Sequence, residues 1–440
     1  MQLILLSGGA GKRLWPMSND TRSKQFLKLL SSPSGEMESM IQRVVRQVKE
    51  ARLVNEVTLA TNSTQHDSII NQLGSEVNIV TEPERRDTFP AIALASGYLA
   101  LEKGCGMDEV VVVMPCDVYT EAGYFDTIRK MAEVVTRHDA ELVLMGIEPT
   151  YPSEKFGYIV PSKDLADTDA LKVERFTEKP NRQNAEILLS QGAMWNGGVF
   201  AFRLGYLMDI VNRYIQVSTF AELSARYAEF SKISFDYEVV EKAGSVYVVP
   251  FSGLWCDLGT WNALCEKLPA NYMGTVYAGD KNVNTHVINE LDIPVVCNGL
   301  TDVVVAASYD GIMVCGKDDS ENIKDYLNAL TAKPRFEECL WGAYKVLEDK
   351  NNADGTRSVT KAMTVKPGKS ICGRANGQTT VVWTIVNGTG VLELDGVAHD
   401  VKQGTVFTMR PGECYMLNTL TELSVIEVQM VASGDDVSVR

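Results

Sequence analysis

Hydrophobic and polar positions follow one rhythm in the first half of the chain and another after about residue 270. Gln2–Leu6, Val57–Ala60, Asn78–Val80, Val110–Met114 and Leu142–Met145 are short apolar or β-branched runs, the length and composition of buried strands. Between them lie segments with helical spacing: Met37–Lys49, with Met40, Ile41, Val44, Val45 and Val48 on one face, then Gln65–Leu73, Pro90–Leu101 and Phe125–Val135. Strand and helix in alternation predict an α/β domain with a mainly parallel sheet and helices on both faces. Ligands of such sheets sit at the carboxyl ends of the strands, where Gly8–Arg13 and Pro115-Cys116-Asp117 fall.

From Gly274 the runs are short and β-branched (Val295–Val296, Val303–Ala306, Ile312–Val314), followed by a predicted helix over Ser320–Leu330 and a linker over Thr331–Pro334. Beyond Trp341 nearly everything reads as strand: Val359–Val365, Thr380–Val386, Gly390–Leu394, Thr405–Met409 and Leu423–Gln429, separated by Pro-Gly and Asn-Gly turns. This predicts a small β-barrel or sandwich. The pattern divides the chain into a first domain at 1–268, a β-rich linker domain at 269–333 and a β-domain at 334–440, with no internal sequence repeat.

Composition narrows the function. A chain of 440 residues, 45% hydrophobic and 22% charged, folds without metal or disulfide staples. Its nine cysteines never approach closer than nine positions, so no C-x-x-C motif exists. Gln2–Leu6 is too short for a secretory core, and no run approaches a membrane span. Reduced thiols in the cytoplasm are the expectation. A formal charge of −15 argues against nucleic acid or anionic membrane as partner. Charge is uneven, however: residues 1–30 hold Lys12, Arg13, Arg22, Lys24 and Lys28 against Asp20 alone. His66, His138, His286 and His399 are scattered and belong to no motif.

The basic patch surrounds Gly8-Gly9-Ala10-Gly11-Lys12-Arg13-Leu14-Trp15-Pro16. It is not a Walker A loop, since Leu6 takes the first glycine position and Arg13 follows the lysine. It is not a dinucleotide fingerprint, since Leu14 replaces the third glycine. Three glycines after a strand allow close backbone approach to phosphates, with Lys12, Arg13 and Lys24 to neutralise them; a plain glycine turn with surface cations fits the loop alone equally well.

The wider run decides between these. With Ser23-Lys24-Gln25-Phe26-Leu27 it resembles the opening of the sugar-1-phosphate nucleotidyltransferases, and among them the mannose-1-phosphate guanylyltransferases. The resemblance continues in order through Glu82-Pro83 with Arg86-Asp87-Thr88, Met114-Pro115-Cys116-Asp117, Phe156-Gly157-Tyr158-Ile159, Phe176-Thr177-Glu178-Lys179-Pro180, Trp195-Asn196-Gly197-Gly198, Phe235-Asp236-Tyr237 and Trp255-Cys256-Asp257-Leu258-Gly259. It implies a Rossmann-like domain that joins a nucleoside triphosphate to a sugar 1-phosphate, most closely GTP to mannose 1-phosphate, with release of pyrophosphate. The attacking phosphate oxygen is already anionic, so positioning and charge neutralisation suffice.

By the same resemblance Gly8, Gly9, Gly11, Arg13, Glu82 and Arg86 bind the nucleotide. Arg13, Lys24 and Lys179 act on the phosphates, and Asp117 and Asp257 hold Mg²⁺. Gly157, Glu178, Lys179 and Asn196 take the sugar phosphate, and Asp236 either orients a neighbour or serves structure. Ser23 stands where proline is usual, Asp87 where asparagine is usual, Val118 where histidine is common and Gly197 where serine is usual. Other readings are the same chemistry with another sugar or base, and a nucleotide-sensing pseudoenzyme.

Residues 335–440 resemble the cupin domain of bifunctional phosphomannose isomerase/guanylyltransferase proteins, through Trp341-Gly342, Lys366-Pro367-Gly368, Trp383-x-Ile385-Val386 and Pro411-Gly412. The isomerase metal cage falls on Asn376, Gly377, Gln378 and Val381, and no histidine or carboxylate lies between Lys366 and Trp383. Amides alone hold divalent metals poorly. A metal-free cupin without isomerase activity is expected, together with self-association of the chain, as a dimer.

Overall fold

The computed structural model describes residues 1–9, 11–162, 169–327, 330 and 333–431; the side chain of Lys12, residues 328–329 of the expected helix and 331–332 of the expected linker lie outside that set. Contacts divide the chain into two compact units, Met1–Arg13 with Ser23–Pro269 and Leu14–Arg22 with Ala270–Arg440. The linker segment and the β-domain thus share one unit, which also takes in a short N-terminal stretch.

The first unit is built on nine strands: β1 Gln2–Ser7, β2 Val57–Asn62, β3 Val77–Glu82, β4 Val110–Pro115, β5 Leu142–Ile147, β6 Tyr158–Pro161, β7 Leu171–Thr177, β8 Met194–Arg203 and β9 Val246–Phe251. Their order across the sheet is β3-β2-β1-β4-β8-β5-β9-β7-β6, and β7 and β8 run against the other seven. The sheet is mixed but mainly parallel. Alternation sends Leu3, Leu5, Val112, Met114, Val143 and Met145 to one face, under helices Met40–Glu50 and Ala122–Arg137. Ile4, Val111, Val113, Leu142 and Leu144 go to the other, under Thr88–Leu101 and Leu204–Tyr214. Both faces are covered, hence the unbroken apolar runs.

Boundaries follow local chemistry. The helix expected from Met37 begins at Met40, because Ser39 and Gln42 form a capping box; Met37–Glu38 instead pairs with Leu30–Ser31. A second small ribbon, Val118–Thr120 against Trp255–Asp257, sets Asp257 opposite Val118, next to Asp117.

In the second unit the chain stacks turn upon turn in parallel: Tyr272 lies beside Val287 and Val287 beside Val305, while Val276 lies beside Val295. This is a structural repeat where none was expected from the sequence. The turns differ in length, and among the described residues the buried members of their common core are Val287, Cys297 and Val305, too few positions to imprint a sequence repeat. Within the same unit Arg22 forms a bidentate pair with Glu290 (2.7 and 2.9 Å) and Ser308 Oγ donates to Pro16 O at 2.6 Å. The predicted Ser320–Leu330 helix is a 3₁₀ turn, Asp318–Glu321, followed by a short helix, Ile323–Leu327.

The cupin-like part packs a six-stranded sheet and a four-stranded sheet around one core that includes Trp383, Leu392, Leu417 and Val425. Three neighbouring strands set Lys361, Glu427 and Trp383 in one row. Lys361 Nζ lies 3.3 Å from Glu427 Oε1, with both side chains 6% exposed. Trp383 Nε1 and Gln429 Nε2 donate to Glu427 at 2.7 and 2.8 Å. Among the described residues no three or more His, Cys, Asp or Glu gather as a metal site, and no helix is long and apolar enough to cross a membrane.

Removing one member of a buried ion pair strands the other, at a cost of about 3–5 kcal/mol, whereas replacing both by apolar residues is often neutral. Glu427→Ala should therefore shift denaturant unfolding of the full chain markedly, and Lys361→Met with Glu427→Met should recover most of the loss. Equal losses in the single and double variants would show that the charge pairing is not what matters.

Candidate active site

The loop after β1 is exposed at Gly8 and Gly9. Gly11 has φ +62°, and a Cβ there would lie 2.8 Å from Lys24 Cβ and backbone N. Only glycine allows the Lys24 backbone to pass so close. Arg13 lies exposed in the 3₁₀ turn Lys12–Leu14.

Lys24 opens the 3₁₀ turn Lys24–Phe26, whose main chain Gly11 touches. Its Nζ lies 2.7 Å from Asp117 Oδ2 and 3.1 Å from Asp257 Oδ1, with the lysine side chain 13% exposed. Burial alone would push this ammonium down; the two carboxylates outweigh it and hold it above the usual lysine range. Asp117 follows β4 and Asp257 ends the small ribbon, so the loop, β4 and the ribbon deliver the predicted residues to one point. Two carboxylates converging on a single cation form a hard-oxygen donor set. That set suits Mg²⁺, which takes one or two carboxylates and completes its shell with phosphate oxygens and water.

Glu82, expected to bind the nucleotide, ends β3 and is 5% exposed. Its Oε2 lies near Gly8, 3.9 Å from where a Cβ would stand, and its Oε1 accepts from the buried Tyr227 hydroxyl at 2.5 Å. Burial lifts this carboxyl to about 7, against the weaker opposing pull of the Tyr227 hydrogen bond and Arg85. Arg86 is engaged elsewhere: it donates to the carbonyl of Phe230 at 2.9 Å and to Glu84 at 2.7 Å, the geometry of a loop brace.

The residues expected to take the sugar phosphate form a second cluster. Gly157 packs against Glu178, whose Oε2 would lie 2.5 Å from any Cβ there. Glu178 accepts from Lys179 Nζ at 2.5 Å and is 7% exposed, while Lys179 holds φ +44° and reaches outward. Asn196 donates its backbone N–H to the Gly157 carbonyl (2.8 Å) and its Nδ2 to Asp236 Oδ1 at 2.7 Å. Burial first, then the neighbouring Glu178, raises Asp236 to about 6. An aromatic cluster connects this site to the ribbon carrying Asp257: Phe156 and Trp195 lie 5.4 and 6.5 Å, ring to ring, from Trp255.

Sequence reasoning missed the polar groups beneath the loop. Ser7, Thr61, Gln25 and Gln65 are buried and mutually hydrogen-bonded. Gln25 sits inside a recognised motif and was findable; Gln65 sits in none. Tyr227, the partner of Glu82, likewise carries no motif.

The Nucleotidyl transferase family matches residues 2–271. The xanthan biosynthesis protein XanB of Xanthomonas campestris pv. campestris strain B100 is 31% identical, across 88% of this chain and 85% of its own. Mannose-1-phosphate guanylyltransferase 2 of Escherichia coli O157:H7 is 27% identical across 98% and 95%. The crystal structure described as a mannose-1-phosphate geranyltransferase from Thermus thermophilus superposes with a TM-score of 0.61 at 27% identity, covering 75% of this chain and 99% of that one. A glycine loop at the end of β1, a cation gripped by two aspartates and a match over 2–271 agree: the chain belongs to the nucleotidyl transferase family and is a nucleotidyltransferase enzyme.

Proposed function

We propose that this enzyme transfers the guanylyl group of GTP to α-D-mannose 1-phosphate, giving GDP-mannose and pyrophosphate. The observation that carries the reading is the Lys24–Asp117–Asp257 cluster beside the glycine loop, in a chain alike over nearly its full length to a mannose-1-phosphate guanylyltransferase.

In this reading the loop Gly8–Gly11 receives the triphosphate, and Arg13 and Lys24 neutralise its charge. Lys179 holds the sugar phosphate so that one of its oxygens faces the α-phosphorus; Glu178 and Asn196 take sugar hydroxyls, and Asp236 fixes the Asn196 amide. That oxygen forms the new bond as the bond to pyrophosphate breaks, and no side-chain base is needed because the nucleophile is anionic. Mg²⁺ held by Asp117 and Asp257 would supply charge stabilisation on the phosphate oxygens.

Glu82 supports guanine. Guanine displays two adjacent donors, its N1–H and its N2 amino group, which a carboxylate accepts together; adenine, cytosine and uracil offer no such pair. Ionised Glu82 is the binding form, so GTP binding should be strongest well above pH 7 and weaken as pH falls through the Glu82 value of about 7.

Four outcomes check the reading. Purified protein with Mg²⁺ should release pyrophosphate from GTP with mannose 1-phosphate in preference to other nucleotide and sugar 1-phosphate pairs; no release from any pair would sink it. Asp257→Asn should lower kcat by about 100-fold or more with the fold intact, since metal-centred charge stabilisation is worth several kcal/mol. Glu82→Gln should cut the preference for GTP by roughly tenfold, the scale of one hydrogen bond to a charged group, and flatten its pH dependence. A carboxyl raised on folding favours the fold below its unfolded value and costs stability as pH rises through its folded one, so the same variant should unfold at higher temperature than wild type at about pH 8.

A further inference from the structure

Under the glycine loop, Ser7, Ser23, Gln25, Thr61 and Gln65 are each no more than 2% exposed, yet none is apolar. Such a buried polar cluster costs free energy unless every member is satisfied, and here one side chain satisfies the rest. Gln65 closes the 3₁₀ turn Ser63–Gln65 that follows β2. Its Oε1 accepts from Ser7 Oγ (3.1 Å), Thr61 Oγ1 (3.1 Å) and Gln25 Nε2 (3.2 Å). Its Nε2 donates to Ser23 Oγ (2.8 Å) and to the carbonyl of Gly9 (3.3 Å). A backbone carbonyl can only accept, so the Gly9 contact fixes which end of the amide faces the loop.

One residue thus ties together the end of β1, the end of β2, the glycine loop, and both neighbours of Lys24. We propose that Gln65 is a positioning residue for the nucleoside triphosphate. It anchors the Gly9 carbonyl, which fixes the orientation of that peptide in the loop that receives phosphate in the proposed reading. Through Ser23 and Gln25 it also fixes the turn from which Lys24 reaches Asp117 and Asp257. Ser23 takes part because it carries a hydroxyl, which the proline usual at this position in the resembling family lacks. The proposal rests on the reading that this loop receives the triphosphate.

The sugar-side cluster of Glu178, Lys179, Asn196 and Asp236 makes no hydrogen bond to Gln65, so the two substrates should respond differently. Gln65→Met keeps the length of the side chain and removes all five hydrogen bonds. Gln65→His keeps one ring donor for Gly9 and one acceptor for the hydroxyls. In the full-length enzyme, Gln65→Met should raise KM for the triphosphate by about tenfold or more, the scale of one or two lost hydrogen bonds, and leave KM for the sugar 1-phosphate within about twofold. Gln65→His should recover most of that loss. Thr61→Val, which removes a single donor, should show the same one-sided shift at about threefold, and serves where the Met variant does not fold.

A merely structural role would lower thermal stability and the active fraction while leaving both KM values in place. That result would overturn the proposal, as would equal shifts in both KM values or a His variant no better than Met. Wild-type enzyme that binds no triphosphate would overturn this inference together with the reading it rests on. Wild type that binds triphosphate, with variants that bind it equally well, would overturn the inference alone.

Discussion

The Lys24 ammonium can lie largely out of water only because two carboxylates meet it. Asp117 and Asp257 come from elements more than a hundred residues apart in the chain, and each must arrive within about 3 Å for the charge-assisted bonds to offset desolvation. That requirement accounts for features that otherwise look unrelated. Gly11 is bare so that the Lys24 backbone can pass. The ribbon of Val118–Thr120 with Trp255–Asp257 places the second aspartate beside the first. The parallel core of the sheet puts the ends of β1 and β4 side by side, so that the loop and Asp117 face the same space.

Around this centre burial raises two further carboxyls, Glu82 to about 7 and Asp236 to about 6. Each is held by a neutral donor, the Tyr227 hydroxyl in one case and the Asn196 amide in the other. Groups of this kind are costly to the fold and cluster where ligands are recognised. In the proposed reading their separation along the sheet, Glu82 at the end of β3 and Asp236 beside β8, serves the two chemically different halves of the substrate pair. The aromatic contacts of Phe156, Trp195 and Trp255 connect the cluster of Glu178, Asn196 and Asp236 to the ribbon that carries Asp257.

Much of this was legible in the residues, for identifiable reasons. Strands buried on both faces, such as Val110–Pro115, announce themselves by unbroken apolar runs, and the helix Met40–Glu50 presents the buried stripe that its spacing predicted. Leu171–Thr177 does not, because it is partly exposed on both faces and alternates weakly; the reversed strand β8 is hidden by the glycines of its own motif. The stacked turns after residue 270 are held by position rather than by recurring residues. Among site residues, those in ordered motifs were named from the chain alone. The structure adds what a motif does not carry: Arg86 bracing Phe230, Glu82 pressed against Tyr227, and Gln65 holding the loop from below. Side chains that act by supporting others leave little trace in sequence, since their partners are distant and their chemistry is ordinary.

The central claim is that phosphate transfer here proceeds by positioning and charge neutralisation, with no protein atom bonded to the nucleotide along the way. The most direct test is the stereochemical course at the α-phosphorus, followed with GTP made chiral there by sulfur substitution and mannose 1-phosphate as acceptor. A single in-line displacement inverts the configuration, and inversion is the expected result. Retention would require two displacements through a nucleotidylated side chain, and would contradict the roles assigned to Lys24, Asp117 and Asp257.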